Sequence, residues 1–218
     1  MQKKQTAVIG LGHFGLSVAN ELQSMGHEVL VVDAEEKKIQ DISDCFTYAV
    51  CANTTTDNTL KSLGLKDFDV VVVSIGQNIQ ANILTTMLLK EIGCRYVVVK
   101  ASNPLHARVL EKIGADRVVA PEHDMGVRIA HSLISKSIVD YLELSIDYSI
   151  VEVSAPKEMW QKNFQDLQLR AKYGVNIIAI KKKDGTINIS PASDDYITQE
   201  DILVAIGDNK ALTKLKWL

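Results

Sequence analysis

The residues with the clearest chemical potential are three glycines near the N-terminus, in the stretch "TAVIGLGHFGLSV" (6–18). Gly10, Gly12 and Gly15 form a G-x-G-x-x-G between a β-branched run and a helical pattern, the context in which this motif binds nucleotide phosphates. The first glycine permits a tight turn, the second lets the backbone approach phosphate oxygens, and the third allows close packing of helix and strand. The helix N-terminus that follows offers free N–H groups to an anion. The motif therefore predicts a phosphate site.

Asp33 and the residues that end the other predicted strands extend this phosphate site. Asp33 closes the second β-rich run, about 20 residues after the glycines, where an acidic group accepts hydrogen bonds from ribose hydroxyls and repels a 2′-phosphate. A ligand of the NADP type is therefore not expected. Further contacts are predicted at the carboxyl ends of the strands, with Asn53 and the backbone of Ile75 and Gly76 facing an adenine. Lys100 is either a point charge for phosphate or a strand-end lysine that extends to solvent.

The elements that must position these groups are short β-branched runs that alternate with helical patterns. Strands are predicted over 6–10, 28–33, 48–53, 70–76, 96–101 and 117–121, and helices over 14–25, 34–44, 56–63, 79–92 and 106–114. The run of four valines at 70–73 shows no alternation, which is typical of a strand buried on both faces of a parallel sheet. These patterns predict an α/β fold over residues 4–124, a Rossmann-like doubly wound parallel six-stranded sheet in the order 3-2-1-4-5-6.

The second part of the chain begins with a long helical pattern over 125–143, and we predict a crossover or dimerisation helix over 125–144. Its apolar surface is wider than one sheet needs, so this helix either crosses to another subunit or lies buried between two domains of one chain. A small α+β domain is predicted over 145–218, with strands over 149–156 and 201–208, a short helix over 166–174, a hairpin over 175–191 around a D-G turn, and a closing helix from 209. A unit of this size is marginally stable alone, so we expect it to pack against a second copy.

Composition and charge argue against several classes of function. The 218 residues carry a net charge of −3 and only 6% aromatic side chains, which disfavours binding to nucleic acid. The N-terminal "MQKKQTAVIG" enters a strand directly, and no apolar run approaches the ~20 residues of a membrane span. We therefore expect a soluble, cytoplasmic protein without a signal peptide. Cys45, Cys51 and Cys94 lack C-x-x-C spacing and are predicted to be reduced, mostly buried thiols.

Residues that could perform catalysis are few. A nicotinamide-dependent dehydrogenase needs a second domain that holds a substrate and a proton-transfer group. His27 lies in a turn away from the carboxyl ends of the strands, His131 lies on the long helix, and neither has an acidic partner in a recognisable pattern. We therefore do not expect an enzyme, although an NAD(H)-linked oxidoreductase or redox sensor on the same fold stays an alternative.

Several longer stretches resemble a known family. They are "AVIGLGHFG", "ANILTTMLLKEIG", "VLEKIGADRVVAPEHDMG", "DYLELSIDYSIVEV" and "LRAKYGVNIIAIK", which are similar to the cytosolic regulatory subunits of bacterial Ktr potassium transporters, members of the RCK or KTN family. The resemblance implies a Rossmann-like RCK N-terminal domain, a crossover helix and a small C-terminal domain. It also implies an octameric ring, a tetramer of dimers, on the cytosolic face of a potassium-conducting membrane subunit. ATP and ADP hold such rings in different shapes and so gate ion flow.

The resemblance also assigns roles to particular positions. Those that match nucleotide-binding segments are Gly10, Gly12, His13, Phe14, Gly15, Asp33, Ala34, Glu35, Asn53, Thr54, Ile75, Gly76, Gln77, Lys100, Ala101 and Ser102, with His106 near the ligand. Glu122 matches an acidic residue implicated in binding a cation at the dimer interface, beside the terminal phosphate. A carboxylate is a hard oxygen ligand suited to Mg²⁺ or Ca²⁺. The alternative for Glu122 is a helix-start acid that complements the helix dipole.

His13 departs from the family pattern, in which this position of the loop usually carries arginine. That arginine is expected to reach phosphate as an always-charged fork. Histidine is shorter and mostly neutral near pH 7. We therefore expect discrimination between ATP and ADP that is weaker, or that depends on pH.

The C-terminal segment resembles the part of the family that binds cyclic di-AMP between two such domains. Arg170 offers a bidentate phosphate contact, and Asn176, Ile177, Ile178 and Pro191 would frame an adenine. The alternative is that these residues hold ordinary packing and turn positions in a small dimer. A free-standing cyclic di-AMP receptor, with no transporter partner, is a further alternative for the whole chain.

Overall fold

The structure, a computed structural model, describes residues 3–134 and 137–217. The chain divides into two compact units, residues 1–123 and 124–218, which we describe separately. In the described part of the chain, none of the helices combines the length and the hydropathy needed to cross a bilayer.

The first unit is a parallel sheet covered by helices. Its strands are β1 (Gln5–Ile9), β2 (Glu28–Asp33), β3 (Tyr48–Cys51), β4 (Val70–Val73), β5 (Val97–Lys100) and β6 (Arg117–Val119). Its helices are α1 (His13–Ser24), α2 (Glu36–Ile42), α3 (Asp57–Ser62), α4 (Ile79–Glu91) and α5 (Pro104–Lys112). The strands lie in the order β3-β2-β1-β4-β5-β6 and all pairings are parallel. This confirms the predicted fold and strand order.

The valine run of β4 shows no alternation of apolar and polar residues because both of its faces are buried. Val71 and Val73 belong to a hydrophobic cluster on one face, and Val72 belongs to a second cluster. Successive side chains of a strand point to opposite faces. Since helices bury both faces, every position must be apolar.

The second unit is an antiparallel sheet with short helices. A helix α6 (Pro121–Ile134) begins in the first unit and continues into the second. The strands are β7 (Ile138–Glu143), β8 (Tyr148–Ser154), β9 (Asn176–Lys181), β10 (Ile187–Asn188) and β11 (Ile202–Asp208), in the order β10-β9-β11-β8-β7. The short helices are α7 (Phe164–Leu167), α8 (Leu169–Tyr173) and α9 (Asn209–Lys214).

The helix predicted over 125–143 is wrong in its second half, because residues 138–143 form β7. Ile138 and Tyr141 are buried and β7 pairs with β8, with an irregularity in register between Ile138 and Asp140. A β-bulge inserts one extra residue. It therefore places the two buried side chains three positions apart, as in a helix.

The hairpin around the D-G turn is confirmed, since β9 pairs with β10 and Gly185 has a φ of +86°. The helix predicted over 166–174 is instead two short helices, α7 and α8, separated at Gln168, which has a φ of +49°. The prediction of mostly buried thiols is wrong for Cys45 and Cys51, which are exposed. Cys94 is buried.

Candidate nucleotide-binding cleft

A cleft of about 720 Å³ opens at the carboxyl ends of the strands of the first unit. The sequence-predicted residues that line it are Gly10, Gly12, His13, Phe14, Asp33, Ala34, Glu35, Asn53, Thr54, Ile75, Gly76, Gln77, Lys100 and Glu122. They come from six different loops and strand ends, and only the parallel topology brings them together. The predicted residues that do not line the cleft are Gly15, Ala101, Ser102 and His106.

The glycine loop connects β1 to α1 and forms one wall of the cleft. Gly10 has a φ of +92°, and a Cβ there would lie 2.9 Å from the backbone nitrogen of Ile75. A Cβ at Gly15 would lie 2.0 Å from the Gly10 carbonyl oxygen, so this glycine allows packing inside the loop and does not face the ligand space. A Cβ at Gly12 would meet nothing within 4 Å. The helix α1 begins at His13 without a side-chain cap, and its first N–H groups are available to an anion.

Asp33 holds the glycine loop in place. The residue is only 8% exposed, and its carboxylate accepts hydrogen bonds from the backbone N–H of Leu11 at 2.7 Å and of Glu35 at 2.9 Å. Both carboxylate oxygens therefore already have a partner, and a ribose hydroxyl would share them. Glu35 is exposed beside Asp33 and offers a second carboxylate at the same end of the cleft.

Lys38, which the sequence patterns did not predict as a site residue, also lines this end of the cleft. Its Nζ lies 3.0 Å from Glu35 Oε2 and 3.5 Å from Asp33 Oδ2. Hydrogen bonding to Glu35 raises the pKa of Lys38. The available signal was the spacing of Glu35 and Lys38, which are three residues apart and therefore neighbours on a helix surface.

Lys100 and Glu122 form an ion pair at the opposite end of the cleft. The Lys100 side chain is only 14% exposed, whereas that of Glu122 is 68% exposed. The Lys100 Nζ also lies 5.9 Å from the centre of the Phe14 ring. The hydrogen bond from Lys100 holds the pKa of the Glu122 carboxyl below its usual range. A phosphate that enters this end would compete with Glu122 for the ammonium group.

Three of the predicted residues outside the cleft, Ala101, Ser102 and His106, lie close to its walls along the chain. Ala101 is buried. The Ser102 hydroxyl donates to the Gly76 carbonyl oxygen at 3.1 Å, and the backbone N–H of Ser102 donates to His106 Nδ1 at 3.3 Å. His106 is 3% exposed, and burial lowers its pKa. These residues connect the loops that follow β4 and β5.

Glu122 does not belong to a cluster of three potential metal ligands within the described residues. Among residues 3–134 and 137–217, no group of three histidine, cysteine or acidic side chains is arranged to hold a cation. A divalent cation at Glu122 would therefore need oxygen atoms from a bound phosphate or from another subunit.

A second depression, of about 590 Å³, lies on the C-terminal unit. Arg170, Asn176, Ile177 and Pro191 line it, together with Phe164 and Leu169. Ile178 does not line it and is 40% exposed. The pairing of β9 with β11 shifts register between Ile177 and Ala179, so Ile178 has no paired residue on β11.

Comparison with known proteins identifies the family. Residues 6–121 match the TrkA-N domain and residues 148–216 match the TrkA-C domain. Over 216 residues the chain is 50% identical to Ktr system potassium uptake protein A of Bacillus subtilis, covering 99% of this chain and 97% of that protein. It is 48% identical to Ktr system potassium uptake protein C of the same organism, covering 94% and 92% of the two chains.

A solved structure shows the same fold at low identity. The GsuK RCK domain superposes with a TM-score of 0.70 at 17% identity, covering 100% of this chain and 48% of that one. The domain matches and the two Bacillus subtilis relatives confirm the family predicted from the sequence motifs. The chain belongs to the Ktr family of potassium uptake proteins, with a TrkA-N domain followed by a TrkA-C domain.

Proposed function

We propose that this chain is a non-enzymatic, nucleotide-sensing gating subunit of a potassium uptake system and that its ligands are ATP and ADP. The observation that carries the proposal is the cleft, which combines an open glycine loop, acidic groups at one end and Lys100 at the other. The chain is similar to the two Ktr potassium uptake proteins over nearly its full length, which supports a role in potassium uptake.

The chemistry of the cleft favours an adenine nucleotide in one orientation. Asp33 and Glu35 suit ribose hydroxyls. The start of α1 and Lys100 suit the phosphates. Asn53 and the backbone of Ile75 would then face the base. Glu122 would share Mg²⁺ or Ca²⁺ with the terminal phosphate after releasing Lys100.

The gating action would come from a change of population between shapes of a homo-octameric ring, a tetramer of dimers. ATP and ADP can shift that population only by the difference in their affinity for the two shapes. The ring would bind the potassium-conducting membrane subunit of a Ktr system, so the protein would be cytoplasmic and peripheral to the membrane. No nucleic acid is involved in this function.

Native mass spectrometry of the purified protein tests the proposal in one measurement. We expect a mass of eight subunits, with adenine nucleotide retained, and a different distribution of assemblies in ATP and in ADP. Tight binding of NADH with weak binding of ATP would refute the proposal and favour the oxidoreductase or redox sensor. Failure of the ring to bind any Ktr-type membrane subunit would favour a free-standing receptor.

We further propose that the C-terminal depression binds cyclic di-AMP. Arg170 lines it, is exposed, and has no ion-pair partner in the described part of the chain, so its guanidinium is available for bidentate contact with phosphate. Asn176, Ile177 and Pro191 line the same depression. Lys172 is a matched control, because it is an exposed cation on the same helix α8 but does not line the depression.

Titration of the full-length protein with cyclic di-AMP tests this second site. R170A should weaken binding by about tenfold or more, the loss of one charge-assisted hydrogen bond. K172A should stay within about twofold of the wild type. No heat and no thermal shift with the wild-type protein would remove the proposal, and equal losses in both variants would reduce it to a general effect of charge.

A further inference from the structure

The helix α4 carries polar side chains on its core-facing side. Asn82, Thr85 and Thr86 are fully buried, and none of the three lines the cleft. Burying an amide or a hydroxyl costs free energy unless its polar atoms find hydrogen-bond partners. The partners that these side chains use therefore indicate what they do.

Asn82 links the ends of two neighbouring strands. Its amide nitrogen donates to the carbonyl oxygen of Ile75 at 2.8 Å and to that of Lys100 at 3.2 Å. The paired residues of β4 and β5 end at Val73 and Val99, so Asn82 adds a connection beyond the last pair. Its amide oxygen is buried without a hydrogen-bond partner among the described residues. An apolar side chain would fill the same space without that cost.

Thr85, one turn further along α4, makes a similar link to a third part of the cleft. Its hydroxyl lies 2.9 Å from the hydroxyl of Thr54 and donates to the Thr54 carbonyl oxygen at 3.2 Å. Thr54 follows β3 and lines the cleft. Side chains of one rigid helix therefore hold the chain segments that follow β3, β4 and β5.

We propose that Asn82 is a positioning residue of the nucleotide cleft, which fixes the spacing between the Ile75–Gly76 wall and Lys100. The proposal rests on the proposed function of the cleft. Asn82 contacts no ligand, and it acts through two carbonyl groups whose neighbours do. Binding groups must be held within about 0.5 Å of their productive positions by supporting hydrogen bonds. Loss of the amide should therefore affect ligands that span both walls more than ligands that touch one.

A comparison of ADP with adenosine tests this role, because only ADP carries phosphate to the Lys100 end. Affinities of the full-length wild type and of N82A would be measured by calorimetry for ADP and by displacement of a fluorescent ADP analogue for adenosine. We expect N82A to weaken ADP by about tenfold and adenosine by less than about threefold.

Thr86 provides the matched control. It is as buried as Asn82 and lies on the same helix, but its hydroxyl donates to the carbonyl oxygen of Asn82 within α4. T86V should therefore alter stability without altering either affinity by more than about twofold. If N82A does not fold by circular dichroism, N82S replaces it, since its hydroxyl can donate to only one of the two carbonyls. The selective loss of ADP affinity should then be about threefold.

The outcomes separate this inference from the proposed function. A wild-type protein that binds neither ATP nor ADP refutes the function of the cleft. A wild type that binds ADP, together with an N82A that binds it equally well, refutes only the positioning role. Equal weakening of ADP and adenosine in N82A also refutes it, because a general loss of folded protein would produce that result.

Discussion

Replacing Gly12 with alanine should separate ligand binding from stability at the glycine loop. Gly12 has a φ of −72°, which other residues adopt freely, and a Cβ there meets no heavy atom within 4 Å. Gly12 is exposed and lines the cleft. We therefore expect the new methyl group to occupy space that phosphate oxygens need when they approach the backbone.

The expected loss of affinity follows from the hydrogen bonds at stake. A bond from a backbone N–H to a charged phosphate oxygen is worth about 1.5–3 kcal/mol. Losing one such bond weakens ADP binding by about 10- to 150-fold. Stability should change little, because a poorer helix N-cap costs about 1 kcal/mol or less and the stiffer unfolded chain contributes about 0.4–1 kcal/mol in the other direction.

Gly15 supplies the contrasting variant. A Cβ there would lie 2.0 Å from the Gly10 carbonyl oxygen and 3.0 Å from Ser74 Oγ. Overpacking of this kind destabilises a folded protein by about 1–3 kcal/mol. G15A should therefore lower the melting temperature by several degrees. G15A should also lose ADP affinity, because the loop must move.

Two measurements on the same preparations test whether Gly12 acts in ADP binding and Gly15 in folding. Calorimetric titration with ADP gives the affinities, and denaturant unfolding gives the stabilities of the wild type, G12A and G15A. A G12A variant that is as stable as the wild type and binds ADP within about twofold of it would show that phosphate does not approach Gly12.

Four further predictions concern other residues. In H13R, an always-charged fork can reach phosphate, so the ratio of ATP to ADP affinity should exceed that of the wild type. Equal ratios in calorimetry would contradict this. E122Q releases Lys100 from its ion pair, so the variant should bind ADP about two- to fivefold tighter than the wild type in the absence of divalent cation. Adding Mg²⁺ should no longer increase the affinity of the variant for ADP. An increase as large as that of the wild type would exclude Glu122 as the cation ligand. Burial lowers the pKa of His106, so the unfolded chain binds the proton more strongly and the free energy of unfolding falls as pH drops below about 6.5. In denaturant titrations, H106Q should lose less stability than the wild type over this pH range. The same pH dependence in both proteins would contradict the prediction. Burial raises the pKa of the Cys94 thiol to about 11, so a thiol reagent at neutral pH should modify the two exposed cysteines and reach Cys94 only after unfolding; rapid labelling of Cys94 in the folded protein would contradict its burial.

The parallel sheet could be predicted because its signals are local. Each β-branched run ends at a turn signal, and helical spacing separates the runs. The order of the strands then follows from the restricted topology of doubly wound sheets. The glycine loop and Asp33 could be placed for the same reason, since both lie at the ends of recognisable strands.

Two features depend on partners far away in the chain and could not be predicted. In β7, the buried residues Ile138 and Tyr141 have helical spacing, and only pairing with β8 around a bulge makes the segment a strand. Asn82 is a polar residue in an apolar helical pattern, and its role becomes visible only when the carbonyls of Ile75 and Lys100 lie beside it. Sequence periodicity contains neither kind of information.

The central position of β1 has a consequence for synthesis on the ribosome. β1 pairs with β2 and β4, and Thr6 lies opposite Val70. The backbone of Ser74 and Ile75 packs against Gly10, so a nascent chain that lacks β4 also lacks this contact of the glycine loop. Lys100 and Glu122 emerge later still. A nucleotide bound in the proposed way would therefore not guide the early folding of this chain. It would stabilise only a first unit whose strands have all been made, because a ligand stabilises the state that it binds.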